Sequence, residues 1–421
     1  MTRRVIVIGA GIVGACTALE LVRRGHAVTI LDPGQPGGPH AASYGNGSWI
    51  SPASTIPMSM PGLWKKVPGL LLDTHGPLVI RWKDLPRLAP WLLRFLAAGA
   101  SVEKVANTVR ILSDLLRDGP SRHLRVAQDI GAPELVRQSG LIYAYTDHES
   151  LAKDDLAWRL RKENGLQYER IEGERLQALI PALDRRYQIG LLVPSGAHSP
   201  DTGAYVARIV SQACKLGAVF RQERASGFRF DKGRLQGVDT PSGALACDAA
   251  VVAAGIWSRP LAKTLGDRIP LISERGYHVT IASPAAAPAI PLMPCDGRMA
   301  NTLMTDGLRC SGQVELAAVD APADWRRADI LVEHARRTYP ALSNGELTVS
   351  KWMGHRPSTP DGLPVIGLSS RSSDVVYAFG HGHMGLCAGP ATAELVALMI
   401  VEPDGPSNPS QFSPRRFGKL F

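Results

Sequence analysis

The first 32 residues constrain the fold more than any other stretch. An apolar, β-branched run at 5–8 leads at once into Gly9-Ala10-Gly11-Ile12-Val13-Gly14. Such a run reads as a buried parallel strand. Behind it Ala15, Leu19 and Val22 recur at helical spacing, Arg23 and Arg24 fall in the last turn, and Gly25 supplies a C-cap. A second apolar run at 28–31 ends in Asp32. The pattern predicts strand, tight turn, helix, strand. The three glycines serve different ends. Gly9 permits the turn, Gly11 lets the backbone approach a pyrophosphate, and Gly14 lets helix and strand pack closely. The helix start at Ile12 and Val13 offers free N–H groups and the positive end of the helix dipole to phosphate. Asp32 can accept hydrogen bonds from ribose hydroxyls, and an acid here disfavours a 2′-phosphate. FAD and NAD both fit this stretch.

Composition removes other classes. With 45% hydrophobic residues in 421, the chain has material for a sizeable core and for two or three domains. Its longest strongly apolar stretches, as at 249–257, fall far short of the roughly 20 residues needed to span a bilayer. The net charge of +9 is spread over doublets such as Arg3-Arg4 and Arg415-Arg416, with no long basic run, which argues against nucleic acid. Six scattered cysteines without a CxxC pair argue against a disulfide framework and for a reducing, cytoplasmic compartment. Trp64, Lys65, Lys66 and Leu70-Leu71-Leu72 keep a peripheral position at the inner membrane face open, although core packing is the simpler expectation. No GxSxG, P-loop or HExxH occurs, so nucleophilic hydrolysis and phosphoryl transfer have no support.

Two later segments carry the nucleotide theme forward. A buried run at 249–254 ends in Gly255, after a helix-plus-strand pattern at 205–223. Gly380-His381-Gly382-His383-Met384-Gly385-Leu386 lies between a strand at 375–379 and a helix expected at 390–400, a geometry that aims N–H groups at an anion. No second GxGxxG follows a strand, which argues against a two-nucleotide reductase.

Together these elements resemble the D-amino-acid oxidase superfamily of FAD-dependent oxidoreductases, and most nearly its bacterial D-amino-acid dehydrogenase branch. The resemblance spans almost the whole chain. It rests on GAGIVG (9–14), SYGNGSWISP (43–52), PLVIRW (77–82), VVAAGIWS (251–258), RGYH (275–278), GLRCSGQVE (307–315), WMGHRPSTPDGLPVIG (352–367) and GHGHMGLCAGP (380–390). It implies an α/β fold in which an FAD-binding Rossmann-like βαβ domain (1–60, 200–258 and 345–421) interleaves with an antiparallel-sheet substrate domain (61–199 and 259–344). It implies that Ser43, Asn46 and Gly47 contact flavin and pyrophosphate and that Ala225 meets adenine. The loop departs from the commonest dehydrogenase form, carrying Tyr44-Gly45-Asn46-Gly47 in place of aromatic-Ala-Asn-Ala-Gly. The Gly380–Leu386 turn, with Gly382, His383, Met384 and Gly385, would face the flavin N1/C2=O edge, where donors favour the reduced form. The FAD is expected to be non-covalent, because the flavin-bonding cysteine of the sarcosine-oxidase branch has no counterpart near Pro360–Pro364.

For a substrate carboxylate, arginine's planar fork is the preferred partner. The resemblance gives that role to Arg356, a second position near substrate to Arg309, and a carboxylate contact to the Tyr277 hydroxyl. His278 and His383 are candidates for tuning flavin or amine. No metal is expected, since His381 and His383 lack a third ligand at recognisable spacing. The implied reaction is hydride transfer from Cα of a D-amino acid, a cyclic one such as hydroxy-D-proline included, to flavin N5, giving an imino acid. Alternatives are a glycine- or sarcosine-type oxidase using oxygen, an NAD-dependent dehydrogenase, and a non-catalytic nucleotide-binding protein. The electron acceptor (quinone, electron-transfer partner or oxygen) and the oligomeric state stay open. At the C-terminus, Ser413-Pro414 reads as a helix start that docks the tail.

Overall fold

A computed structural model describes residues 2–65, 76, 78–402, 405 and 409–418. The 5–8 run is fully buried, and it sits mid-sheet. Strand Arg4–Ile8 pairs in parallel with Ala27–Leu31 on one side and Ala249–Val252 on the other. Val219–Arg221 extends one edge, while Val375–Phe379 and the antiparallel Val365–Leu368 extend the other. Alternate residues of these strands feed two cores. Val5, Val7 and Ile30 pack on helices Ile12–Arg23, Thr202–Lys215 and Gly385–Val401. Ile6, Ile8 and Val252 pack beneath the ribbon Gly227–Asp231, Arg234–Thr240, Gly243–Ala246 and helix Ser258–Thr264. Burial on both faces is why these strands read as continuous apolar runs.

The last helix begins five residues earlier than the sequence pattern suggests. It starts at Gly385, with Pro390 inside it. A proline has no N–H for the carbonyl one turn back. That carbonyl, on Leu386, accepts instead from Nε2 of the buried His123 at 2.6 Å. The other ring nitrogen of His123 meets the Tyr205 hydroxyl at 2.9 Å.

The second sheet is larger and mostly antiparallel. Its order is Val349–Ser358, Ile272–Ile281, Gly307–Leu316, Ala300–Met304, Leu292–Pro294, Leu141–Tyr145, Ile189–Val193 and Glu169–Glu172, with Leu78–Ile80 added beside Gly307–Leu316. The motif order places Val349–Ser358 with the nucleotide unit, whose third segment would open at 345. The strand pairs instead with Ile272–Ile281 at every position from Ile272↔Ser358 to Ile281↔Val349. The chain returns to the six-stranded sheet only at Val365. Helix Leu85–Ala98 covers this sheet at Ile80 and Leu316, whereas Val102–Leu116, capped by the Ser101 side chain, and Gly119–Asp129 pack against helix Gly385–Val401. The tail docks as expected: Phe412 is buried, Ser413 caps Pro414–Phe417, and Arg416 pairs with Asp361 at 2.7 Å. Lys66, Leu70, Leu71, Leu72 and Pro77 lie outside the described residues. Among the described residues no helix is long and apolar enough to cross a membrane.

Candidate active site

The C-terminal ends of the parallel strands open into a cleft of about 610 Å³. That lies within the roughly 300–1,000 Å³ of small-molecule pockets. Gly9 turns the chain at φ 108°, and a Cβ there would lie 2.5 Å from the Ala253 carbonyl oxygen. Gly14 packs under the turn, where a Cβ would come within 1.9 Å of the Gly9 oxygen. The first bond inside the helix is Ala15 N–H to Gly11 oxygen, so the amides before it are free of the helix ladder. That of Ile12 donates to Ser43 Oγ at 3.0 Å, and no acid stands in the first turn. Asp32 is held at the strand end: Oδ2 accepts from Ala10 N–H at 2.8 Å, and Oδ1 accepts from Gly34 N–H and lies 2.9 Å from His40 Nε2.

Most of the expected cofactor residues line this cleft. Gly9, Gly11, Ile12, Val13, Asp32 and Ser43 do so at the nucleotide end. Asn46, Ala225, Gly255, Gly382, Gly385 and Leu386 do so further along. The others lie outside it. Gly14 packs below it, and Gly47 faces Ala300 and Ser311. Gly380, His383 and Met384 border a smaller adjoining cavity of about 40 Å³, which meets the cleft at Gly382.

The loop carrying Ser43 and Asn46 is fastened to the large sheet by side chains. Trp352 Nε1 donates to the Pro39 oxygen at 2.9 Å, and its indole stacks on His278 at 5.0 Å and 16°. Gly45 lies flat on that indole, where a Cβ would sit 2.1 Å from the ring. Burial, then the nearby Arg309, pushes the His278 ring down to about 3. The neutral ring donates from Nδ1 to the Gly45 oxygen at 3.1 Å.

Two residues expected at the substrate are elsewhere. Arg309 lines neither cavity; its guanidinium donates to the Tyr44 oxygen at 2.9 Å and the Asn46 oxygen at 3.3 Å, and so holds the loop. Tyr277 points to the opposite face of its strand, into the core beneath helix Arg326–Thr338. There its hydroxyl donates to Glu315 at 2.6 Å and accepts from Asp324 N–H at 2.9 Å. Burial and Glu315 push that phenol up to about 12.

Arg356 lines the cleft, as a carboxylate partner would. Its guanidinium lies across the neighbouring strand at Gly276, where a Cβ would come within 2.5 Å of the guanidinium carbon. Gly276 is therefore a positioning residue for Arg356. The guanidinium makes no ion pair within 4.0 Å with any described residue. Its register partner Glu274 is 5% exposed and equally without an ion pair among the described residues. Burial raises the Glu274 carboxyl above the usual range, with Arg356 and the Ser358 hydroxyl pulling it back. The nearby His383 is exposed to solvent, and Arg356 holds its ring below the ordinary value. Phe95, Leu112, Met58 and Met384 make the apolar walls of this cavity, and Thr108, Ser358 and His383 its polar ones.

Glu274 lies outside the sequence motifs, and Gly276 and Trp352 fall within them without a role of their own. A usable signal for Glu274 is that it is the only acid between Asp267 and Asp296. Among the described residues no group of three His, Cys, Asp or Glu could hold a metal.

Comparison with known proteins agrees with this geometry. Residues 4–399 match the family model described as DAO, FAD dependent oxidoreductase. The chain is 43% identical over 419 residues to a D-amino-acid oxidase of Bradyrhizobium diazoefficiens, covering 99% of each chain. It is 31% identical over 408 residues to a D-amino acid dehydrogenase of Methylobacterium nodulans, covering 94% of this chain and 95% of that one. Its fold superposes on L-amino acid deaminase from Proteus vulgaris with a TM-score of 0.76 at 19% identity, covering 99% and 97% of the two chains.

Proposed function

The chain belongs to the DAO family of FAD-dependent oxidoreductases, and from that premise we propose that it oxidises the Cα–N bond of a small D-amino acid to the imino acid. The carrying observation is the Arg356 guanidinium, lining the dinucleotide cleft without an ion-pair partner among the described residues. A half-buried cation without a counter-charge is costly unless a ligand supplies one. A bidentate carboxylate matches its planar fork.

The cleft fits FAD. Gly11 and Val13 would meet the pyrophosphate, Asp32 the ribose and Ala225 the adenine, with Gly382, Gly385 and Leu386 at the flavin ring. None of the six cysteines lines either cavity, which supports non-covalent binding. When bound, FAD accepts the hydride. The protein's own work is orientation: Arg356 fixes the carboxylate, and the apolar walls take a compact side chain and limit water. The nucleotide unit on this reading comprises 1–60, 200–258 and the chain from about 359 onward, and the substrate unit takes the remainder.

The two curated relatives differ in the acceptor their names imply. The more identical one is named an oxidase, which favours oxygen; the dehydrogenase name favours a quinone or an electron-transfer partner. An anaerobic screen of flavin bleaching with D- and L-amino acids, prolines and N-methyl glycines tests the reaction. Bleaching by D-amino acids is expected, and failure with every amino acid would overturn the assignment. Peroxide formation in air then identifies oxygen as acceptor.

A further inference from the structure

Arg356 lines the cleft as a half-buried cation and Glu274 lines the adjoining cavity as a buried acid; they are register partners on adjacent strands, with no ion pair between them within 4.0 Å. Two opposite charges left apart and partly desolvated forfeit their mutual attraction while still bearing a desolvation cost. A zwitterion set between them restores both pairings, carboxylate to Arg356 and ammonium to Glu274. We propose that Glu274 receives the substrate's amino group and takes one of its protons before the Cα–H bond breaks. The inference rests on the amino-acid reading of this cavity.

The chemistry requires such a group. An amino acid arrives with its nitrogen as –NH3⁺, which has no lone pair to give. Glu274 carboxylate accepts one N–H proton and becomes the neutral acid, leaving –NH2. The nitrogen lone pair then forms the C=N bond as the Cα hydrogen departs with its electron pair to FAD, the oxidant. The second N–H proton leaves the iminium in water.

Few other charged groups compete for this role. Strand Val349–Ser358 brings Arg356, the turn after Val375–Phe379 brings His383, and the 360–364 turn brings Asp361, which is already paired with Arg416. The segment at 56–59 and helices Leu85–Ala98 and Val102–Leu116 bring only uncharged side chains. His383 is exposed to solvent at the cavity wall, whereas Glu274 is enclosed beside Arg356. Burial moves Glu274 above the usual carboxylate range, which favours its taking a proton.

The test uses the FAD-loaded enzyme with D-alanine or whichever D-amino acid bleaches it fastest. In Glu274→Gln the rate of anaerobic bleaching should fall on the order of 100-fold or more. The acidic limb of the wild-type pH profile should vanish with it. Pyruvate, which carries the carboxylate without the amine, should still perturb the flavin spectrum of the variant. A variant that keeps both the wild-type rate and the acidic limb overturns the proposal. So does a wild-type profile with no acidic limb, a measurement that needs no variant. If no amino acid bleaches the wild type, the underlying functional reading fails instead.

Discussion

Strand Ile272–Ile281 presents two chemically opposite faces. On one, Arg275 is 0% exposed and pairs with Glu315 at 3.2 Å, the Tyr277 hydroxyl donates to the same carboxylate, and Arg81 closes the cluster. On the other, Glu274 and the Arg356 guanidinium over Gly276 have no ion-pair partner among the described residues. On one face the charges are paired, and on the other they wait for a ligand to pair them. Burial alone therefore does not mark a functional charge; burial without a partner does.

Three substitutions or conditions break or sharpen this contrast. Arg356→Ala removes the cation of the open face. With two charge-assisted hydrogen bonds of about 1.5–3 kcal/mol each lost, kcat/KM should drop roughly 10²–10⁴-fold. Stability to urea should scarcely change, and steady-state kinetics beside a denaturation curve will show whether it does. Glu315→Ala strikes the closed face. It leaves Arg275 buried and uncompensated, so unfolding stability should fall by about 3–5 kcal/mol. The kcat of the molecules that remain folded should hold; a selective loss of kcat at full stability would return Tyr277 and its partners to the active site.

The smallest effect concerns His278, on the open face. In the fold its ring stays neutral down to about 3, against 6.5 for the free side chain. Below pH 6.5 the unfolded chain binds a proton that the native one does not. The contribution is thus full above 6.5 and declines as pH falls toward 3, by about 1.4 kcal/mol per unit. Urea midpoints measured from pH 7.5 to 5 should slope less in His278→Asn by that amount. Equal slopes would mean that the ring is protonated in the fold.

The same contrast explains what can be read from sequence. The βαβ unit is legible because strand, glycines, helix and Asp32 are contiguous, and each obeys a local rule. The Gly380–Leu386 turn is legible for the same reason. The face of Tyr277 is legible too: Tyr277-His278-Val279-Thr280-Ile281 alternates apolar with polar, which sets Tyr277 beside Val279 and Ile281 in the core. The RGYH resemblance, which reads one residue and not the pattern, points it at substrate instead. Glu274 is not legible, because its meaning lies in Arg356, which sits beside it only through strand pairing. The sheet that Val349–Ser358 joins is equally hidden, since motif order does not specify strand partners. The helix start at Gly385 is masked by Pro390, whose missing donor is compensated by a histidine far away in sequence.

The strand order of the six-stranded sheet bears on how the molecule is made. Arg4–Ile8 leaves the ribosome early, yet one of its two neighbours is Ala249–Val252, and that strand's outer neighbour is Val375–Phe379. The amides of the first glycine turn are in place early, but the wall facing them is translated long afterwards. Cofactor capture is therefore a late event in biosynthesis, and a nascent chain stalled before Gly385 holds half a nucleotide site with its apolar sheet uncovered.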